Sequence, residues 1–439
     1  MTGRGTGRRT APLAALVLLL ALVAGGCTSG TATVPGSGRT ASAADSSAEP
    51  TRLADEQRAA VAALVRQRGA ALAAGDERAW LASVADLTRP FAAAQAALFD
   101  RMRRLPVGDY GAGSVELGPP LTSGQRAAYG ADAVVVQVDL RYRLTGYDTG
   151  LRSVPTSYVV TRTPEGWRLA DVASAGPAQP WDLSPLTVLR SPSTLVVGSA
   201  PEARLREYLA LADAAHSRIA AVWGSARPAV VVAPADTAGL VAQLQRDDAA
   251  GLDQVAAVTD GPLVAGQPAA TDRVYVNPTA FDGLTPDGRR VVLTHELTHV
   301  TVRGSTTRTV PTWLSEGFAD YVGYSTVRLA PSVVAAPYLA QVRAGTAPAL
   351  PDDGAFDPTR DAIGPVYNAA WLAVRFLAEQ HGQDRLVAFY RAVAGGLAVD
   401  AATAAQPQAV VRTAFPRVLA QTQDAFVAAW AADVRRSAG

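Results

Sequence analysis

The sequence predicts an α+β fold in two parts. A small N-terminal α+β domain built on an antiparallel sheet is followed by a mostly helical domain with a small sheet. Three observations predict this. Val134, Val136, Val138, Leu140, Tyr142 and Leu144 alternate with Val135, Gln137, Asp139, Arg141 and Arg143, the period of a long half-buried strand. Later apolar runs are shorter (Leu195-Val196-Val197 and Val230-Val231-Val232) and are separated by stretches at helical spacing. The chain has 439 residues, of which 49% are hydrophobic, enough to bury the cores of two or three domains.

The first segment reads as a processing signal. Arg4, Arg8 and Arg9 precede an apolar run from Leu13 to Val23, too short and too early for a folded helix. The run ends in Val23-Ala24-Gly25-Gly26-Cys27, which resembles a bacterial lipobox. That resemblance implies cleavage before Cys27, lipidation of Cys27, and attachment to the outer face of the cell membrane. Cys27 is the sole cysteine, so the chain makes no internal disulfide. Residues 28–50 are rich in Ser, Thr, Gly and Ala and read as a disordered tether. Losing the three leader arginines takes the formal charge from +1 to −2. With so weak a field, nothing argues for nucleic acid as a partner.

Residues 51–176 form the first predicted domain. Val61, Leu64, Val65 and Leu72 have helical spacing, Gly75-Asp76 breaks that helix, and Trp80, Leu81 and Val84 begin another. After the long strand, Tyr158, Val160 and Arg162 lead through Pro164-Glu165-Gly166 to Trp167, a hairpin pattern. Helices followed by a long antiparallel sheet resemble the cone-shaped nuclear transport factor-like fold. That resemblance implies a pocketed or docking module, and no residue in it marks catalysis. Residues 177–192 are Pro-rich, contain Trp181 and read as a linker.

Residues 193–439 form the second predicted domain. It opens with the apolar runs already noted and an amphipathic stretch from Glu202 to Trp223. Arg273-Val274-Tyr275-Val276-Asn277 reads as a strand stopped by Pro278. Then comes His295-Glu296-Leu297-Thr298-His299, which holds two of the chain's four histidines. On a helix this spacing puts both imidazoles on one face, one turn apart, as two corners of a tetrahedral Zn²⁺ site. Glu296 points toward the position such a site leaves open, where a carboxylate can take a proton from water. Glu316, on an apparent second helix, is the candidate third ligand. Two imidazoles and one carboxylate leave a fourth position open, the pattern of a catalytic rather than a structural zinc.

The segment Trp313-Leu314-Ser315-Glu316-Gly317-Phe318-Ala319-Asp320-Tyr321 resembles the third-ligand helix of the gluzincin metallopeptidases, the clan of thermolysin and the aminopeptidase-N family. The resemblance implies a zinc peptidase acting on peptide or protein substrates. His295, His299 and Glu316 are then the ligands and Glu296 the general base. Asp320 orients a ligand histidine, or is a solvated helix charge. Val366 to Leu377 resembles the tyrosine-bearing helix of the aminopeptidase-N-like enzymes, which makes Tyr367 either an oxyanion donor or a packing aromatic. Gluzincins also place a sheet edge before the metal helix, along which substrate pairs. The strand around Tyr275 is a candidate for that edge, and reads equally as a core strand. The aminopeptidase Gly-x-Met-Glu-Asn segment is missing, which favours an endopeptidase. The alternative is a cell-surface binding or assembly lipoprotein with a vestigial peptidase domain. His216 and His381 read as structural. The stretch from Leu329 to Thr359, rich in Pro and Gly, reads as irregular, and Val410 to Val434 as one or two closing helices.

Overall fold

A computed structural model describes residues 48–439, apart from 175, 263, 361 and 362. The expected signal segment, Cys27 and the tether up to residue 47 lie outside the described residues. The fold is α+β, with two separate sheets among the described residues. No helix among the described residues is long and apolar enough to cross a membrane.

The first sheet is a four-stranded antiparallel meander: β1 (Val107–Leu117), β2 (Val134–Leu144), β3 (Arg152–Thr163) and β4 (Gly166–Ser174). Its inner face is the alternating set read from β2, with Val136, Val138, Leu140, Tyr142 and Leu144 all buried. Helix α1 (Ala48–Ala74) covers that face with Val61, Leu64, Val65 and Leu72. Helix α2 (Pro90–Met102) adds Phe99, packed on Trp80 at 5.7 Å between ring centroids.

The second sheet is mixed and five-stranded, larger than the sequence suggested. Its order is β5 (Thr187–Arg190), β6 (Thr194–Gly198), β7 (Ala229–Ala233), β9 (Arg273–Val276), β8 (Ala257–Asp260). The three inner strands are parallel, and the two outer ones run antiparallel to their neighbours. Helix α3 (Glu202–Trp223) makes the crossover from β6 to β7. The remainder is helical: α4 (Pro286–Arg303), α5 (Thr312–Tyr324), α6 (Gly364–His381), α7 (Gln383–Arg391) and α8 (Gln423–Ala438).

Two expectations need correction, and the choice left open for Tyr275 is decided. The stretch read as a linker, 177–192, carries a tight turn at Pro180–Asp182 and strand β5. Trp181 is buried against Tyr142 at 4.6 Å, because a large apolar ring left in water forgoes its burial energy. Tyr275 does not lie on a sheet edge, since β9 is flanked by β7 and β8. The edge strand nearest α4 is β8. The stretch from Leu329 to Thr359 is partly helical, at Pro331–Val334, Ala336–Arg343 and Asp353–Phe356.

The two sheets share one continuous core, and an ion pair fastens them. Asp148, in the turn after β2, grips Arg273 at the start of β9 with both oxygens, one at 2.7 Å, and both side chains are 1% exposed. Around the pair, Thr149 N donates to Ala270 O at 3.0 Å and Arg152 to Thr271 O at 3.1 Å. Removing one member of such a pair leaves the other charged in a dry site, a cost of about 3–5 kcal/mol. Arg273→Met is therefore expected to lower unfolding stability by that amount in urea titrations. The double variant Arg273→Met, Asp148→Leu should recover most of the loss. A single-variant loss below about 1 kcal/mol would show that the pair carries no such constraint.

Candidate metal centre

Helix α4 starts where its sequence dictates. Thr285 caps it by accepting from Gly288 N at 3.1 Å, Pro286 takes the first position, and Asp287 favours the positive helix end. Every residue from Val291 to Val302 is buried, so the helix is enclosed rather than amphipathic. Two of its threonines donate their hydroxyls internally, Thr294 to Arg290 O and Thr298 to Thr294 O, each at 2.7 Å, and Thr301 Oγ1 accepts from Arg227 N at 3.3 Å. What remains polar in this buried helix is His295, Glu296 and His299.

Helix α5 brings the partners. Two glycines let it sit close between α6 and α4. A side-chain carbon at Gly317 would come within 2.5 Å of Ala370 O on α6. One at Gly323 would meet Val291 O on α4 at 3.0 Å and the Cβ of His295 at 3.6 Å. This close packing carries Glu316 and Asp320, one turn apart on α5, to the imidazoles of α4.

The donor atoms form a tight triangle. His295 Nε2 lies 3.0 Å from His299 Nε2 and 3.1 Å from Glu316 Oε2, and His299 Nε2 lies 3.3 Å from Glu316 Oε2. An ion held tetrahedrally at the zinc distances of ~2.0–2.1 Å needs donors about 3.3 Å apart. The triangle fits that requirement. His295, His299 and Glu316 thus form a group able to hold a metal ion. Asp320 Oδ1 accepts from His295 Nδ1 at 2.8 Å, which turns the His295 Nε2 lone pair toward the other two donors.

Burial and neighbours set the charges. Burial works against a charge on His295, but the Asp320 and Glu316 carboxylates outweigh it and raise the imidazole to about 10. Burial also opposes charge on Glu316, yet His299 and the contact with His295 bring it down to about 2. His299 is pushed down by burial and stays neutral near pH 7. Burial lifts Glu296 to about 8.

Glu296 lies beside the triangle, and among the described residues its carboxylate has one hydrogen-bond partner. Its Oε2 is 2.6 Å from the hydroxyl of Thr259, on the edge strand β8. Its Oε1 is buried and makes no hydrogen bond among the described residues. Tyr367, on α6, is buried with its ring centroid 6.5 Å from that of His295 and packs against Phe356 at 5.1 Å. Burial, reinforced by Glu316, Asp320 and Glu296, holds its hydroxyl well above the usual tyrosine range, so it stays a neutral donor.

The structure thus brings His295, Glu296, His299, Glu316, Asp320 and Tyr367 together, and leaves Tyr275 in the sheet interior. His216 is half-buried on α3, and His381 accepts from Gln421 at 2.8 Å, both away from the centre. Thr259 escaped the sequence reading. It lies in a four-residue strand with no motif around it, and only the fold brings it to Glu296.

No protein-family model matches the chain, and no curated protein does. Among solved structures the chain is similar to a mutant of an M1 zinc metallopeptidase from Deinococcus radiodurans, bound to a Tyr-Ser-Ala substrate. The identity is 13%, the TM-score is 0.33, and the match covers 69% of this chain and 61% of that one.

Two outcomes are expected. Purified with zinc, the wild type should hold about one ion per chain by mass spectrometry, while His299→Ala and Glu316→Ala hold little. Asp320→Asn should bind zinc ~10–100-fold more weakly, the range for a lost hydrogen bond to a ligand histidine. Retention of full affinity would separate Asp320 from the metal. Zinc binding should also release protons. His295, raised to about 10, is protonated at pH 7 without metal, and only its neutral form can bind zinc. The affinity is expected to rise with pH, by about tenfold per unit, until His295 loses its proton unaided. Calorimetry in two buffers of different ionisation enthalpy should find at least about one proton released per zinc at pH 7.

Proposed function

We propose that this chain is a zinc-dependent metallopeptidase, held at the extracytoplasmic face of the cell membrane by a lipid on Cys27. The observation that carries the reading is the convergence of three metal-binding donors beside a carboxylate oxygen that has no hydrogen-bond partner among the described residues. A stored or structural ion needs no such free base.

Bound at His295, His299 and Glu316, zinc would supply Lewis acidity toward a peptide carbonyl and make water more acidic. Glu296 takes the proton from the attacking water and returns it to the leaving amine. Burial keeps the Glu296 carboxyl near neutrality, which suits a group that must both accept and give a proton. Asp320 holds the His295 tautomer. Tyr367 offers a hydroxyl donor to the negative charge that develops on the carbonyl oxygen. Edge strand β8, which carries Thr259 against Glu296, is the strand beside which extended substrate backbone would pair. The lack of an amine-binding Gly-x-Met-Glu-Asn segment favours internal cleavage over removal of terminal residues.

One observation favours the second reading, a surface binding or assembly lipoprotein with a silent peptidase centre. His295 and Glu296 are both 0% exposed, so the described structure leaves substrate no direct approach to the base.

The deciding experiment offers a mixed peptide library to the zinc-loaded full-length chain and to Glu296→Gln, with products read by mass spectrometry. Zinc in both and cleavage by the wild type alone, with at least ~100-fold loss in the variant, supports the peptidase. Zinc in both and cleavage in neither supports the silent centre. Tyr367→Phe should keep its zinc and lose ~10²–10³ in kcat, and unchanged turnover would remove Tyr367 from the chemistry. Robust turnover of aminoacyl p-nitroanilides would reverse the preference for an endopeptidase.

A further inference from the structure

We infer that Thr259 is the positioning residue for Glu296, fixing which carboxylate oxygen faces the metal donors. The inference rests on the peptidase reading of the site, and concerns a residue outside the metal-binding set.

The Thr259 hydroxyl lies 2.6 Å from Glu296 Oε2 and 2.9 Å from the backbone oxygen of the same residue. Its single proton is shared between the main-chain and side-chain oxygens of Glu296, which restricts the torsions between them. Among the described residues Oε2 has no other hydrogen-bond partner, and Oε1 has none. One oxygen is tied and the other is left for chemistry.

The anchor is stiff at both ends. Thr259 pairs with Val274 in the register of β8 with β9. Its carbonyl accepts from Arg303 Nη1 at 3.3 Å, and Arg303 closes the far end of α4 while pairing with Asp272 at 3.1 Å. Strand β8 is thus fastened to α4 twice, once at the base and once at the helix end. A β-branched threonine on a strand has few χ1 choices, so the strand itself sets the hydroxyl direction. Valine would keep that shape and leave Glu296 Oε2 without its hydrogen bond. An arginine or lysine would bind the carboxylate too strongly to leave one oxygen free. A neutral hydroxyl satisfies one oxygen only.

The consequence is mechanical. If substrate backbone pairs along β8, the strand that sets the place of the scissile carbonyl also sets the place of the base. A displacement of β8 would move both together.

The test uses the full-length zinc-loaded chain and three variants. Thr259→Val should lower kcat on a peptide cleaved by the wild type by ~10–100-fold, with KM and zinc affinity within about twofold. Thr259→Ser should return kcat to within about threefold of wild type. Thr259→Ala removes the hydroxyl without adding a methyl group, and takes the place of Thr259→Val if that variant does not load zinc. A second readout needs no turnover. Acetohydroxamate chelates zinc and hydrogen-bonds to an adjacent carboxylate, so Thr259→Val and Glu296→Gln should each weaken it, and the double variant should show less than the summed effect. Wild-type kcat in Thr259→Val, or additive losses in hydroxamate binding, overturns the inference. A Thr259→Ser variant as impaired as Thr259→Val overturns it too, because side-chain shape and not the hydroxyl would then matter. If the wild type cleaves no peptide, the peptidase reading fails, and hydroxamate binding still decides the role of Thr259.

Discussion

The centre depends on one constraint: five ionisable side chains of two packed helices are removed from water together. His295, Glu296, His299, Glu316 and Asp320 are each buried, and an isolated charge in such a place is costly. The cost is offset only because each group faces another of them or a fixed dipole. Asp320 answers His295, His295 and His299 answer Glu316, and Thr259 answers Glu296. Each pairing needs donor and acceptor within about 3 Å, and dry surroundings make such contacts strong when satisfied and expensive when not. The close fit of α5 against α4 and α6 follows from that need. At Gly317 and Gly323 the neighbouring helices leave no room for a side chain, and larger residues there would push Glu316 and Asp320 away from the histidines.

The legibility of the centre in the sequence follows from how local each part is. His295, Glu296 and His299 fall within five residues, so helix geometry alone relates them. Glu316 and Asp320 are likewise one turn apart. The capping by Thr285 and the burial of Val291 to Val302 agree with the apolar residues around the motif. The alternation of β2 showed the inner face of the first sheet because a long strand with one wet face must alternate. What the sequence concealed is nonlocal. The order of β9 and β8 depends on a chain reversal between Asp260 and Arg273, and no residue pattern in Arg273-Val274-Tyr275-Val276 distinguishes an inner strand from an edge. Strand β8 holds four residues, too few to show a period. The Pro-rich composition of 177–192 hid β5, because a four-residue edge strand needs only one partner and tolerates prolines close by.

The Asp148–Arg273 pair has the character of a registration device more than of a source of stability. A buried ion pair gains little over well-packed apolar residues, since desolvation consumes most of its Coulomb energy. Its geometry is specific, however. Both carboxylate oxygens meet the guanidinium, and Asp148 also accepts from Leu144 N at 2.7 Å, which fixes the turn after β2. A one-residue slip of β9 would turn Arg273 to the opposite face of the sheet and leave Asp148 alone in the core. The pair therefore favours one alignment of β9. Strand β8 takes its register from β9, with Thr259 opposite Val274 and Asp260 opposite Arg273. The residue that sets the register of the inner strand is thus directly across from the neighbour of Thr259. Through that short path, the turn of the first sheet helps fix the strand that holds Glu296. The N-terminal sheet, which contributes no group to the metal centre, is in this way part of the scaffold on which the geometry of the centre rests.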